Sequence, residues 1–239
     1  MLRPSMNTLP PTRPARLLGA AVAAVLLLPS GASAATLTPL KGCYVTSTDE
    51  VSGEIRREPV PLGGSGFTPG GLVNISVDGK LERTVQADPV GNLPAGQALE
   101  APYRRNGQRS FRLTATDQQN PANTVEAVSN VTAFDVSIRP STAAPSSRVR
   151  FRGRGFTQPG TVYAHYLYRG KVRKTVTLTK RPTEPCGRFS VKRKQIPIRK
   201  PRLGQWLLQI DQEKTYRRAP ELGAIRVIIR VQRVFKPSR

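Results

Sequence analysis

The sequence predicts an all-β protein: two β-sandwich domains in tandem, preceded by a signal peptide. Short segments alternate apolar and polar residues with a period of two, which is typical of half-buried strands. Turn residues separate these segments, and a set of motifs occurs twice in the same order. Convincing helical periodicity is absent after residue 35, so we expect no helices in the folded part of the chain.

The alternation is clearest in segments 73–77, 111–115 and 227–231, where Val, Ile, Phe, Leu and Ala occupy every second position. The polar or charged residues between them are Asn74 and Ser76 in the first segment, Arg112 and Thr114 in the second, and Arg230 in the third, so each segment should bury one face. Turn-forming pairs stand between the predicted strands: Pro69-Gly70, Asp78-Gly79, Asn106-Gly107 and Arg169-Gly170. Several short strands with turns at this spacing favour a sandwich.

The two halves of the chain resemble each other. Residues 62–70 recur as residues 151–160, and residues 79–85 recur as residues 170–176, so that the offset moves only from 89 to 91. Further along, Asp117-Gln118 recurs as Asp211-Gln212. Three matches in one order indicate duplication of a module of roughly 90–100 residues.

The repeated turn carries a family resemblance. Its residues are Gly64-Ser65-Gly66-Phe67-Thr68-Pro69-Gly70 and Gly153-Arg154-Gly155-Phe156, and the second copy departs by inserting Gln158 before Pro159-Gly160. This pattern resembles the IPT/TIG group of immunoglobulin-like domains. The resemblance implies an immunoglobulin-like fold and a role in surface adhesion or as an accessory module, with no catalytic residues. We expect Phe67 and Phe156 to close one end of each core.

These observations divide the chain into three parts. Residues 1–35 are predicted to be a signal peptide, residues 36–134 a near-neutral immunoglobulin-like domain, and residues 135–239 a strongly basic one. Residues 139–147 are rich in Pro, Ser and Ala, but they precede the second Gly-x-Gly-Phe turn. We therefore interpret them as a loop within the second copy, with a very short linker before it.

The N-terminus has the pattern of a secretory signal. Arg13 and Arg16 precede an apolar run of 12 residues, which is too short for a comfortable membrane span, and Ala32-Ser33-Ala34 offers a cleavage site. We expect cleavage near Ala34 and a secreted or cell-envelope protein without a transmembrane anchor. An uncleaved signal anchor is the alternative.

Cys43 and Cys186 are the two cysteines of the chain. Because exported thiols tend to be oxidised, the sequence predicts a disulfide between them. The alternative is two separate thiols, since the distance between their Cα atoms cannot be read from the sequence.

The charge is concentrated in the second half. Residues 135–239 contain 26 Lys and Arg against 5 Asp and Glu, whereas residues 36–134 contain 9 against 10. This asymmetry indicates an anionic partner, either a polymer or an anionic membrane or wall surface, and implies no specific small molecule or cofactor.

Four arginines form the sharper basic pattern. Arg148, Arg150, Arg152 and Arg154 occupy every second position and would share one face of a strand, with Val149 and Phe151 toward the core. Such a row suits sulfate, phosphate or carboxylate groups on a polymer. The alternative is an ordinary solvated strand face.

A second basic cluster follows, with six cations among eleven residues: Lys192, Arg193, Lys194, Arg199, Lys200 and Arg202. Two prolines within it predict an extended loop or an edge segment. It could act as a flexible clamp on an anionic chain, or protect a sheet edge against strand addition.

The sequence gives little support for catalysis or metal binding. His165 is the single histidine, and its counterpart Asn74 lies on the polar face of a predicted strand, so we expect His165 to face solvent. No His, Cys or Asp cluster has ligand spacing, and the aspartates lie at turns or strand ends. We therefore predict neither a catalytic residue nor a metal site.

The aromatic residues of the second copy are mostly assigned to its core. Tyr166, Tyr168 and Trp206 are predicted core residues, and Tyr163 is the better candidate for exposure. The sequence thus favours an exported, non-catalytic module that binds an anionic polymer. One alternative is a structural envelope protein with peripheral association; another is an enzyme with an unrecognised site, which would have to use His165.

Overall fold

A computed structural model describes residues 34–48, 53–220 and 223–233. All regular secondary structure in these ranges is β-strand, and the strands form layered sheets, which confirms the all-β, immunoglobulin-like sandwich fold. The predicted signal segment, residues 1–33, lies outside the described residues.

The described residues of the first half form ten strands. They are β1 (Thr36–Leu37), β2 (Cys43–Thr48), β3 (Ile55–Arg57), β4 (Pro59–Pro61), β5 (Gly64–Ser65), β6 (Leu72–Val77), β7 (Lys80–Gln86), β8 (Ala98–Glu100), β9 (Gln108–Asp117) and β10 (Thr124–Ala133). Six of them form one sheet in the order β3-β2-β10-β9-β6-β7, with β2 and β10 parallel. The short ladders β1-β5 and β4-β8 make up the remaining pairings of this half.

In the second half, the residues that the structure describes form seven strands in two sheets. They are β11 (Asp135–Arg139), β12 (Arg148–Arg154), β13 (Val162–Tyr168), β14 (Lys171–Thr179), β15 (Phe189–Lys194), β16 (Gly204–Asp211) and β17 (Ile225–Val231). One sheet has the order β11-β12-β15 and the other β14-β13-β16-β17, and every pairing is antiparallel. The Pro- and Ser-rich residues 140–147 join β11 to β12.

The duplication is visible in the strand order. The run β7-β6-β9-β10 of the first half corresponds to β14-β13-β16-β17 of the second. The long strand β12, which pairs with β11 and β15, corresponds to β4 and β5, which pair with β8 and β1 respectively. In the first half the chain breaks this strand into two pieces around Leu62-Gly63.

The inward residues explain why the strands form and pack. Val73 and Ile75 of β6 and Leu113 of β9 are fully buried in the first half, where the alternation placed them. In the second half Val149 and Phe151 of β12 pack in a single apolar cluster with residues of the other sheet. Burying such side chains is the main favourable contribution to folding.

Phe67 and Phe156 lie at equivalent positions, as the repeat predicts. Both are buried, with 3% and 2% of their surface exposed. A Cβ at Gly64 would lie 3.2 Å from the ring of Phe67, and one at Gly153 would lie 2.9 Å from the ring of Phe156. The first glycine of each motif therefore lets its strand approach the phenylalanine ring closely.

The halves meet where β10 leads into β11 through the single residue Phe134. The ring of Phe134 lies 5.1 Å from that of Phe156, and its N–H donates to the carbonyl of Thr46 at 2.8 Å. Lys41 contributes a polar contact, because its ammonium donates to Glu58 at 2.7 Å and to Thr157 at 3.1 Å.

The predicted disulfide between Cys43 and Cys186 is confirmed. It joins β2 of the first half to the loop between β14 and β15, with the two Cα atoms 5.2 Å apart. Both cysteines are buried. The bridge therefore fastens the two halves together covalently at a second point, in addition to the chain connection at Phe134.

We predict that Phe67→Ala and Phe156→Ala each lower the free energy of unfolding by about 3–5 kcal/mol, because each leaves a cavity at the end of a core. Denaturant unfolding of the mature chain measures the loss. Val90→Ala is the control, since Val90 is 74% exposed and a surface truncation should change stability by less than about 0.5 kcal/mol. A loss below about 1 kcal/mol for either phenylalanine would contradict its assigned role.

We also predict that replacing both cysteines with serine destabilises the protein. The bridge closes a loop of 143 residues, and the chain-entropy treatment gives a loss of about 4–5 kcal/mol for a loop of this size. Guanidinium unfolding of the oxidised protein and the double variant measures it. Equal midpoints for the two proteins would show that the bridge adds nothing to stability.

Candidate anion-binding surface

The sheet β11-β12-β15 presents a row of cations on its outward face. In β12, Val149, Phe151 and Gly153 are buried, so the intervening arginines point to the other side of the strand. Strand pairing adds cations from both neighbours. We call the following residues the cationic face: Arg139, Arg148, Arg150, Arg152, Arg154, Lys192 and Lys194.

The register brings like charges side by side. Arg150 lies opposite Arg139 of β11 and opposite Lys192 of β15, and Arg148 lies opposite Lys194. Neighbouring strands are about 4.8 Å apart, and alternate residues along a strand are separated by about 6.7 Å. Seven cations therefore share one compact patch of sheet.

The other two arginines of the cationic face have no cation directly opposite them on a neighbouring strand. Arg152 lies between Ser137 and Ser190, and Arg154 lies opposite Asp135. Within the described ranges, no cation of this face makes an ion pair with a carboxylate. Like charges opposite each other on a sheet are destabilising, so the face carries a cost that its own residues do not offset.

The first half supplies an internal comparison. With the offset of 89 residues, the four arginines of β12 correspond to uncharged residues, namely Pro59, Pro61, Gly63 and Ser65. The inward residues correspond as Val60 to Val149 and Leu62 to Phe151, and all four are buried. The same strand is thus built twice, once with an uncharged outer face and once with a cationic one.

The other basic residues predicted to bind are dispersed. Arg193 points away from the cationic face, and its guanidinium donates to the carbonyls of Thr177 at 3.5 Å and Leu178 at 3.4 Å in β14. Arg199, Lys200 and Arg202 are exposed in the loop between β15 and β16. The sequence cluster 192–202 is therefore not one surface, and only Lys192 and Lys194 join the arginines of β12.

Arg139 completes the face but does not belong to the predicted set. Its place depends on the pairing of β11 with β12, where it lies opposite Arg150. A basic residue at the end of a short strand before a proline carries no signal of that pairing in the sequence. The alternation of arginines along β12 can be recognised in the sequence, whereas the residue that lies opposite Arg150 on β11 cannot.

The aromatic residues do not extend this surface. Tyr166, Tyr168 and Trp206 are buried, as predicted, and the rings of Tyr168 and Trp206 lie 5.0 Å apart. Trp206 donates its indole N–H to the carbonyl of Arg202 at 2.9 Å. Tyr163 is half-buried on β13, in the other sheet, so it offers no stacking platform beside the cationic face.

The prediction that His165 faces solvent is wrong, because this side chain is completely buried. The repeat correctly places it on the polar side of its strand: Nδ1 lies 2.9 Å from Thr175 Oγ1, much as Asn74 accepts from Thr84 in the first half. However, the loop after β16 folds over this side, and the carbonyl of Glu213 lies 3.0 Å from Nε2.

Asp211 is the buried carboxylate of this cluster. Its Oδ1 lies 3.3 Å from His165 Nε2 and accepts the N–H of Glu213 at 2.9 Å, while its Oδ2 accepts from Gln209 at 2.8 Å. Burial alone would raise the pKa of Asp211, but the hydrogen bonds from His165, Gln209 and Glu213 outweigh it and hold the pKa below its ordinary value.

This cluster aligns a hydroxyl, an imidazole and a carboxylate, but it is sealed. His165 and Asp211 are 0% and 1% exposed, and the Tyr216 ring packs against the imidazole in a T-shaped arrangement at a centroid distance of 5.9 Å. A substrate cannot reach the imidazole in this conformation. The arrangement ties the loop after β16 to the sheet.

The other aspartates also serve the backbone, as predicted. Asp117 accepts the N–H of Thr68 at 2.6 Å, and Asp88 accepts the N–H of Asn92 at 2.8 Å. In the parts of the chain that the structure describes, no three His, Cys, Asp or Glu side chains gather as a metal site. The same parts contain no helix with the length and hydropathy to cross a membrane.

Comparison with known proteins yields similar structures but no family. No protein-family model matches the chain, and no curated protein matches it in sequence. The resemblance of the Gly-x-Gly-Phe turns to the IPT/TIG group therefore stays a prediction.

Three solved structures illustrate the similarity. A Parabacteroides merdae β-glucuronidase is 9% identical with a TM-score of 0.27, over 82% of this chain and 24% of that one. Fibronectin(III)-like modules of Clostridium thermocellum CbhA are 11% identical with a TM-score of 0.26, over 83% and 94%. A tetra-tandem repeat from the extending region of a large adhesion protein is 15% identical with a TM-score of 0.25, over 80% and 49%. This chain thus spans about a quarter of the glucuronidase, and similarity at this level carries no argument about activity or ligand.

We predict that Asp211 stabilises the fold in a pH-dependent way. Its folded pKa is lowered, so its contribution is present above the ordinary aspartate pKa of about 3.9 and is lost as pH falls through the lower folded value. Asp211→Asn should therefore cost about 1.5–3 kcal/mol at pH 7, the range for hydrogen bonds to a charged group. The difference should shrink toward pH 3.

Denaturant unfolding of both proteins from pH 7 to pH 3 measures this difference. Glu126→Gln is the control, because Glu126 is an exposed carboxylate that pairs with Arg112 at 3.5 Å on the surface. A cost of Asp211→Asn that stays constant across the pH range would contradict the assignment, since it would reflect packing instead of charge.

Proposed function

We propose that this chain is an exported, non-catalytic module whose cationic face binds a linear anionic polymer of the cell envelope or the extracellular space. One observation carries the proposal: β12 repeats a strand of the first half with apolar residues buried at the same positions but with arginine at every outward position. Since the first half folds the strand without these charges, folding does not require them.

The electrostatics of the face support an external anionic partner. Arg150 has a cation opposite it on both neighbouring strands, and no carboxylate pairs with it among the described residues. Like charges that lie directly opposite each other on a sheet are destabilising. Binding of a polyanion would replace this repulsion with attraction, and it would release the counterions that are condensed on the polyanion.

The shape of the surface favours a polymer over a single small anion. The cations lie on a sheet, about 6.7 Å apart along a strand and about 4.8 Å apart across it. A small ion on such a flat surface contacts one or two side chains and stays hydrated. A chain with regularly repeated sulfate, phosphate or carboxylate groups can contact many cations at once, and arginine binds such groups in a bidentate manner.

Export and the adhesion-type role are part of the same proposal. The confirmed disulfide is compatible with an oxidising location, and the pattern of residues 1–35 is that of a secretory signal. The resemblance to the IPT/TIG group adds a typical use in surface recognition. The enzyme alternative relies on His165, whose sealed position offers no access to a substrate.

We predict that replacing Arg150, Arg152 and Arg154 with glutamine weakens polymer binding and reduces its salt dependence. Loss of three contacts should lower the slope of log affinity against log salt by about 2, at roughly 0.7–0.9 per contact. Binding of the mature chain to heparin, teichoic acid and single-stranded DNA, each titrated at several salt concentrations, measures both effects. Folding should survive, because the inward residues of β12 are unchanged.

A matched control comes from the same half of the chain. Lys171, Arg173 and Lys174 are exposed on β14, at the edge of the other sheet, and their replacement by glutamine removes the same charge. Equal losses for the two triple variants would refute a specific face. They would support the alternative in which the basic surface gives only diffuse association with anionic material.

A further inference from the structure

The cationic face ends in a concave site next to the junction of the halves. This pocket has a volume of about 340 Å³ and is lined by Arg152, Arg154 and Arg188, by the hydroxyl-bearing Thr183 and Ser190, and by Phe189 at its apolar side. Arg152 and Arg154 come from β12, Ser190 from β15, and the other two polar residues from the loop before β15. A ligand group in this depression is within reach of side chains from two strands and a loop.

The lining has one chemical character. Three guanidinium groups offer up to fifteen N–H donors by their covalent structure, about five each, and the two hydroxyls offer further donors. None of the Asp or Glu residues that the structure describes lines the pocket. Among the described residues, the three arginines make no ion pair that would neutralise them. Convergent donors without a carboxylate match a tetrahedral oxyanion, which accepts bidentate hydrogen bonds from arginine.

The wall that carries Arg188 and Thr183 is held in place. The N–H of Thr183 donates to the carbonyl of Arg188 at 2.7 Å, and the N–H of Arg188 donates back at 3.0 Å. Between them, Cys186 is fixed to Cys43 by the disulfide, and its carbonyl accepts the N–H of Gly155 at 2.9 Å. A wall whose backbone is already ordered loses less backbone entropy on binding.

The glycine in β12 shapes the floor. A Cβ at Gly153 would lie 2.2 Å from the ring of Phe189, so only glycine allows the strand to lie against this ring. Phe189 is buried and Gly153 is its partner across the ladder. Arg152 and Arg154 flank Gly153 in the strand, and all three residues line the pocket.

The first half lacks the same charges. In the first half, Leu93 donates its N–H to the carbonyl of Gly64, which is the counterpart of Gly153. Leu93 therefore corresponds to Phe189, the partner of Gly153 across the ladder, and the preceding residue Asn92 corresponds to Arg188. Gly63 and Ser65 correspond to Arg152 and Arg154 through the offset of 89. All three arginines of the pocket are therefore particular to the second copy, as the cationic face is.

We propose that this pocket binds a phosphate or sulfate group, and that it holds the terminal or pendant ester of the anionic polymer whose chain lies along the cationic face. The part that concerns the polymer rests on the proposed function. The part that concerns the tetrahedral oxyanion stands on the pocket alone. Phosphate and sulfate share the chemistry that the pocket recognises, and separate titrations distinguish them.

The test is a titration of the full mature chain with inorganic phosphate and, separately, with sulfate at low chloride, followed by NMR of the arginine side-chain N–H groups. We expect saturable shifts at Arg152, Arg154 and Arg188. Arg188→Asn, which installs the residue of the first copy, should weaken oxyanion binding about tenfold or more, as loss of a charge-assisted bidentate contact implies. Arg188→Lys should give a smaller loss, because it keeps the charge without the planar fork.

Lys174→Gln is the control for charge, since it removes one exposed cation from β14, and it should change oxyanion affinity by less than about twofold. Thermal unfolding of each variant checks that the fold is intact. Equal weakening by Arg188→Asn and Lys174→Gln, or shifts that never saturate, would overturn the pocket as a site.

The outcomes separate the two proposals. Saturable phosphate or sulfate binding that depends on Arg188, in a protein that binds no polymer, would retain the pocket and refute the proposed function. Polymer binding that depends on Arg150 but is unchanged by Arg188→Asn would retain the proposed function and refute the role of the pocket. Weaker polymer binding by Arg188→Asn, together with the loss of oxyanion binding, is the result that both proposals expect.

Discussion

The disulfide between Cys43 and Cys186 constrains more of this molecule than any other single interaction. It joins β2 of the first half to the loop before β15, and this loop also receives the N–H of Gly155 and the N–H of Phe156. The end of the second core and the wall of the pocket are therefore anchored at one covalent point. A bridge that spans so much of the chain restricts the unfolded state strongly, but it also keeps the halves in a fixed relation.

The duplication explains how a charged surface could arise without harm to the core. A strand presents alternate residues to opposite faces, so its inward and outward positions are under separate constraints. Val60 and Val149 meet the same inward requirement, whereas Pro61 and Arg150 occupy the same outward position with different chemistry. Glu100 ends the strand opposite Pro59, and Lys194 lies opposite the corresponding Arg148. The neighbouring strand thus carries a negative charge at this position in the first half and a positive charge in the second. The change in surface charge therefore extends across the ladder and is not confined to β12.

Much of the fold could be predicted from the sequence because it depends on local patterns. Alternation, turn residues and the ordered repeat were enough to predict the strands, the equivalence of Phe67 with Phe156, and the arginine face of β12. The burial of His165 could not be predicted, since it depends on how the loop after β16 folds over an otherwise polar strand face. Likewise, Arg193 donates to carbonyls of β14 in the other sheet, and Arg188 enters the pocket through a loop conformation. These placements result from tertiary packing, which no spacing within one segment encodes.

The surface and the pocket would contribute differently to recognition. On the flat face, affinity grows with the number of charges that a chain brings together, and long side chains can adjust to several charge spacings. Such binding discriminates poorly between sulfate, phosphate and carboxylate polymers, because each contact is mainly coulombic and salt-screened. In the pocket, paired backbone hydrogen bonds hold the chain at Thr183 and Arg188, and guanidinium and hydroxyl groups from two strands and a loop line one concave site, so the geometry of the bound group matters. A wrong group there would leave donors unsatisfied and incur their desolvation cost. Selectivity among anionic polymers would therefore depend on the group that enters the pocket, and the length of chain bound would depend on the face.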